Sequence, residues 1–207
     1  SVEKQGFKHF MLKEIHEQPR VMSSMIKRLV NLETKTLNTK ELGIDALDLA
    51  RIDNIAMVAC GTAHYSTVLG KYLIEPSAGV PVNVELASEF KYRDPVLSPG
   101  HGVVGVTQSG ETADTMAVVR QVKAMGHKTI GITNVRGSTM SRETDAVLYT
   151  SAGPEIGVAA TKTFTTQMAM LLLIAGYLNI YRGKPGPGAV ALWRVRVRVG
   201  GLRHVIA

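Results

Sequence analysis

The sequence predicts an α/β protein: a three-layer sandwich on a five-stranded parallel sheet, preceded by a helical arm. Three observations predict it. From Asn54 onward, short apolar runs rich in Val, Ile and Gly alternate with longer stretches of helical period. Strands separated by helices of this length imply a parallel sheet covered on both faces. Three of the intervening turns, 60–62, 107–112 and 153–159, are rich in small or hydroxyl residues. In an open sheet of this type ligands collect beyond the carboxyl ends of the strands, which gathers those turns into one crevice.

The elements follow in order. Residues 1–6 are polar and form a linker stub. Residues 7–32 carry a helical pattern, with Met11, Ile15, Met22 and Ile26 at spacings near multiples of 3.6. Pro19 fits the first position of a renewed helix or a kink. Residues 33–42 read as a loop and 41–51 as a short helix, and this front part offers no catalytic cluster. The first buried strand is 55–59, followed by a helix over 63–77; 82–86 is the second strand, with a helical turn at 89–92. The third strand, 102–106, consists of Gly and Val and leads into a helix over 112–125, with Val118, Val122 and Met125 on one face. A fourth strand at 128–133, a turn at Gly137-Ser138 with a short helix, a fifth strand at 146–150 and a long helix over 158–181 complete the pattern. The boundaries expected are 1–52 for stub and arm, 53–185 for the sheet domain and 186–207 for a basic tail.

Composition narrows the function. The 207 residues are 45% hydrophobic and 20% charged, ordinary for a globular domain. Aromatics make up 5%, which leaves little surface for stacking bases. The longest apolar run, 168–176, is far shorter than the ~20 residues of a membrane span and suits a buried core helix; no membrane partner and no signal peptide are expected. One cysteine, Cys60, excludes an internal disulfide and fits a reducing cytoplasm. The six histidines show no metal-ligand spacing, so no metal and no other cofactor is expected. Of the net charge of +7, Arg194, Arg196, Arg198 and Arg203 contribute +4 within a tail that holds no acid. The rest carries only +3, which argues against nucleic-acid binding by the globular part.

The chemistry concentrates in Thr107-Gln108-Ser109-Gly110-Glu111-Thr112. A strand turning sharply into a helix leaves the first helical N–H groups unpaired and pointing outward, a site for phosphate. Thr107, Ser109 and Thr112 add hydroxyl donors, and Gly110 lets the backbone approach. Helix capping by Ser109 or Thr112 is the competing reading. Glu111 opposes an anion unless its carboxylate points away. No G-x-G-x-x-G follows a strand and no P-loop lysine is present, so a phosphorylated polyol fits better than a nucleotide.

Taken together, Cys60-Gly61-Thr62, the run 85–93 (ELASEFKYR), Gln108-Ser109-Gly110-Glu111-Thr112-Ala113-Asp114-Thr115, the run 152–162 (AGPEIGVAATK) and 164–167 (FTTQ) resemble the first sugar isomerase (SIS) domain of the glutamine–fructose-6-phosphate aminotransferases. The segment 8–19 is similar to the stretch that opens the isomerase region of that family. The resemblance covers about residues 6–185 and implies a flavodoxin-like SIS fold. It also implies fructose 6-phosphate or glucosamine 6-phosphate as ligand, a homodimer, and a place in cytoplasmic amino-sugar biosynthesis. Thr107, Gln108, Ser109 and Thr112 would hold the phosphate, with Thr62 and Ala63 bordering it and Val158 near the sugar. Ala63 and Thr107 depart from the serines common at those positions.

No catalytic residue carries over. Position 1 is Ser1, not the family's glutaminase cysteine, and nothing matches the motifs of the second SIS domain. The parent family is an aminotransferase and isomerase, while this chain by itself is expected to bind rather than react. Cys60 reads as a small packed side chain, Glu155 as a loop anchor or dimer contact, and Lys162 as an ion-pair partner. A stand-alone sugar-phosphate-sensing module is the alternative; the polar stub and the 14–19 motif favour the transferase. Beyond Lys184-Pro185-Gly186-Pro187-Gly188 the resemblance stops and Arg alternates with Val over 194–199. One explanation is a reading-frame slip near Gly188, which predicts few core contacts from 189–207. A nucleic-acid-binding arm is the weaker reading of this tail.

Overall fold

The computed structural model describes residues 3–181, apart from 32, 35, 39 and 41–50. The tail, with Trp193 and Leu202, and most of the expected helix at 41–51 lie outside the described residues.

Helix α1 (Phe10–Leu29) opens the chain and runs unbroken through Pro19. Proline removes the N–H that would bond the Ile15 carbonyl, and the Gln18 side-chain amide donates to that carbonyl instead, at 3.2 Å. Strand β1 (Val30–Asn31), at the end of the stretch expected to be helical, and β2 (Thr36–Leu37), in the expected loop, then form a small antiparallel ribbon. With two residues per strand, no alternation is long enough to be seen. The main body follows: β3 (Asn54–Ala59), α2 (Gly61–Ala78), β4 (Val82–Leu86), α3 (Ala87–Phe90), β5 (His101–Val106), α4 (Ala113–Ala124), β6 (Lys128–Thr133), α5 (Thr139–Glu143), β7 (Ala146–Tyr149) and α6 (Lys162–Tyr181).

All five long strands pair in parallel, in the order β4-β3-β5-β6-β7. Successive side chains leave a strand on opposite faces. In β3, Ile55, Met57 and Ala59 therefore join one core cluster while Ala56 and Val58 join the other. The larger cluster lies beneath α1, α2 and α6, and takes in Met22, Met25, Ile26 and Leu29 of the front helix. The smaller one lies beneath α3 and α4, with Val118 and Val122 fully buried. Met125, expected on that face, sits at the end of α4 and is 47% exposed. Both faces are thus covered, as a parallel sheet requires.

Helix α6 starts at Lys162, four residues later than the sequence pattern suggests. Residues 158–161 belong to the preceding loop, which the apolar helical period does not reveal. By length and composition Lys162–Ile180 is apolar enough to cross a membrane. Here it packs along α2 and α1, with Met170, Leu171, Leu173, Ala175 and Leu178 at 0% exposure.

Candidate functional site

In the order β4-β3-β5-β6-β7 the direction of winding reverses between β3 and β5, the switch point where an open sheet leaves a crevice at its carboxyl edge. The turns after these two strands, 60–62 and 107–112, flank it. Each feeds directly into a helix, α2 after Cys60 and α4 after Thr112, and neither helix has its first turn capped by its N-cap side chain. Two sets of outward N–H groups therefore face one opening, each at the positive end of a helix dipole.

A cavity of about 270 Å³ occupies this position. Thr62, Ala63, Thr107, Gln108, Ser109, Thr112 and Val158, the seven residues expected to hold or border the ligand, all line it. Cys60, Val106, Glu155, Gly157, Ala160, Thr163 and Gln167 complete the wall among the described residues.

The turn 107–112 is held from below. Thr107 N donates to Ile132 O, Asn134 N to Gln108 O and Met140 N to Gly110 O, at 3.0, 3.0 and 2.9 Å. The hydroxyls of Thr107 and Thr112 bond each other at 2.6 Å. Ser109 Oγ accepts from Glu111 N at 3.1 Å, which leaves its own proton to donate outward. Gly110 has φ +72°, and a Cβ there would overlap Ser138. The Glu111 carboxylate turns away from the crevice and accepts from Thr139 N (2.8 Å) and Thr139 Oγ1 (2.6 Å). The side-chain and backbone hydrogen bonds from Thr139, with Arg142 nearby, hold its pKa below the usual carboxylate range. The one feature of the turn that opposes an anion is thereby directed elsewhere.

The opposite wall is the loop 153–161. Glu155, the only charged lining residue among the described residues, accepts from Thr161 N and Oγ1 at 3.0 and 2.8 Å, from Thr163 N at 3.3 Å and from Thr163 Oγ1. It thus anchors the loop onto the start of α6. Lys162 stands 3% exposed and donates to Glu17 of α1 at 2.6 Å. Burial disfavours ionisation of Glu17, but the hydrogen bond and charge of Lys162, aided by Lys13 and Arg20, outweigh it and lower the pKa. Glu14, one turn earlier and 2% exposed, accepts from Ile156 N at 2.6 Å and from Gly157 N at 3.1 Å. Asn134 ties the end of β6 to the same loop, donating to Gly153 O and accepting from Ala152 N.

Glu14 and Glu17 belong to the 14–19 motif, but the sequence assigns neither a role in the site. Their signal was present in two acids three apart on one helical face, but nothing local says that the face is buried against a loop 140 residues away. Among the described residues no group of His, Cys, Asp and Glu side chains is gathered as a metal site. What the cavity offers is neutral hydroxyl, amide and backbone donors.

Fold and site together define a doubly wound α/β domain with a crevice lined by hydroxyl and amide groups at its switch point. The chain belongs to the SIS domain family, whose model matches residues 48–176. It is 44% identical over 203 residues, 98% of its length, to the glutamine–fructose-6-phosphate aminotransferase [isomerizing] of Symbiobacterium thermophilum, of which it covers 32%. It is 48% identical over 191 residues to the enzyme of the same name from Mycolicibacterium smegmatis, covering 30% of it. The chain therefore spans about a third of the length of the curated relatives it matches. Among solved structures it superposes on the C-terminal domain of glucosamine-fructose-6-phosphate aminotransferase from Francisella tularensis, with TM-score 0.84 and 35% identity. That match covers 99% of this chain and 55% of the other.

Proposed function

We propose that this chain is the sugar-phosphate-binding part of the isomerase region of a glutamine–fructose-6-phosphate aminotransferase, and that its cavity takes fructose 6-phosphate or glucosamine 6-phosphate. One observation carries the reading: a cavity between two helix N-termini whose lining donors are hydroxyls, amides and backbone N–H groups. In this reading Thr107, Gln108, Ser109 and Thr112 hold the phosphate, Thr62 and Ala63 border it, and Val158 faces the sugar. The 44% identity along nearly the whole chain to enzymes of that name supports a transferase fragment over a stand-alone sensing module.

Among the described residues the single carboxylate on the cavity wall, Glu155, is engaged by four donors, and no lining residue is His or Lys. The chain then binds and orients the sugar phosphate, while groups that move protons or nitrogen come from outside these 207 residues. Calorimetric or NMR titration with fructose 6-phosphate, glucosamine 6-phosphate and fructose tests this. The phosphorylated sugars bind and fructose does not; equal binding of fructose and fructose 6-phosphate defeats the reading.

The same reading makes the chain a cytoplasmic homodimer. Tyr65, Leu69 and Tyr72, spaced along one face of α2, are 66%, 43% and 68% exposed, an apolar stripe that supports a partner surface. Sedimentation of the wild type and of a Tyr65→Asp/Tyr72→Asp variant distinguishes a dimer from a monomer.

A further inference from the structure

The cavity has two walls of different construction. The wall of 107–112 is secured by the sheet itself, through bonds to β6 and α5. The loop wall, with Gly157, Val158 and Ala160, is secured from its outer side by α1, a helix that contributes nothing to the cavity lining. The junction is a buried carboxylate on backbone: both oxygens of Glu14 are occupied by the N–H groups of Ile156 and Gly157, at 2.6 to 3.2 Å. The fit leaves no slack, since a Cβ on Gly157 would stand 2.6 Å from Glu14 Oε2 and 3.4 Å from Met11 Cα. Although Ile156 is itself 45% exposed, its N–H and that of Gly157 are turned onto the buried Glu14, and a carboxylate bound by two N–H groups is fixed in turn. One helical turn further, Glu17 holds Lys162 where the loop enters α6.

We infer that Glu14 is a positioning residue for the sugar-facing wall of the site, so that recognition of the sugar, but not of the phosphate, depends on α1. This rests on the sugar-phosphate reading of the cavity. The phosphate wall has its own supports and does not pass through Glu14. The loop wall reaches the rest of the molecule through Glu14, through Asn134 and through Glu155's bonds to α6. Of these, only Glu14 contacts the backbone of Ile156 and Gly157, next to Val158. A glutamine at position 14 keeps one acceptor but sets an NH2 group against an N–H, which pushes the wall out of register.

The test compares two ligands on the full chain. Inorganic phosphate probes the 107–112 wall alone; fructose 6-phosphate probes both walls. In Glu14→Gln the affinity for fructose 6-phosphate falls roughly tenfold, the scale for displaced positioning groups, while that for inorganic phosphate stays within about twofold. Gly157→Ala, which presses on the same junction from the loop side, gives the same selective loss and decides the matter if Glu14→Gln does not fold. Unchanged fructose 6-phosphate affinity, or equal loss of both ligands by a folded variant, overturns the inference and leaves the sugar-phosphate reading standing. A wild type that binds neither ligand overturns that reading and this inference with it.

Discussion

Replacing Gly110 by alanine tests whether the turn between β5 and α4 is built as described. The backbone there has φ +72°, a region in which an L side chain is strained. A Cβ would also run into the Oγ and Cβ of Ser138 and lie 2.8 Å from Thr133 Oγ1. Gly126, just past α4, supplies the control: its φ is +88°, yet a Cβ there meets nothing within 4 Å. Gly126→Ala should cost about 1 kcal/mol, the conformational term alone. Gly110→Ala adds an overpacking term of about 1–3 kcal/mol, for a total of roughly 2–4 kcal/mol. Urea denaturation of both variants reads the difference. Because Gly110 O also accepts from Met140 N, the intrusion moves the turn itself, and fructose 6-phosphate affinity drops at least about tenfold. Among the described residues Ser138 Oγ has no hydrogen-bond partner, so adding Ser138→Gly should relieve the overlap and recover most of the steric term. If Gly110→Ala costs no more than Gly126→Ala and binds normally, the packing beneath the turn is wrong.

Three further outcomes are expected. Ser109→Ala removes the outward hydroxyl and weakens fructose 6-phosphate binding by about 1.5–3 kcal/mol; a pure capping role would instead cost about 1 kcal/mol of stability with affinity unchanged, and both are measured on one variant. Since no Lys or Arg lines the cavity, raising salt from about 0.05 to 0.5 M should change that affinity by less than about threefold, and a steep salt dependence in titrations would reveal an unrecognised cation. Glu17, with its folded pKa lowered, contributes stability that is complete above its unfolded value of about 4.3 and is lost as pH falls through the folded value; Lys162→Met should cost about 2–4 kcal/mol at pH 7 and flatten the acid limb of a stability–pH curve, because Glu17 then loses its strongest partner.

The periodicity of the chain was enough to mark out the sheet. Ile55 to Ala59, Val82 to Leu86 and Lys128 to Thr133 are apolar runs between turn residues, and all three lie in strands. The cavity-lining residues were legible for a local reason. A strand that turns into a helix at Gln108-Ser109-Gly110 must present N–H groups and hydroxyls, whatever surrounds it. Glu111 marks the boundary of that logic, since its type was plain but its direction was set by Thr139, 28 residues on.

The sequence by itself determined the five long strands, the helices between them and the parallel pairing of the sheet, because these follow from the order of residues along one strand or one helical face. Tertiary structure alone decided that α1 shares the main core, that α6 begins only at Lys162, and that Glu14 and Glu17 brace the far wall of the site. The contacts of Glu14 and Glu17 join residues more than 140 positions apart, and a carboxylate on an amphipathic helix reads the same in sequence whether its acceptor oxygens meet water or the N–H groups of a distant loop.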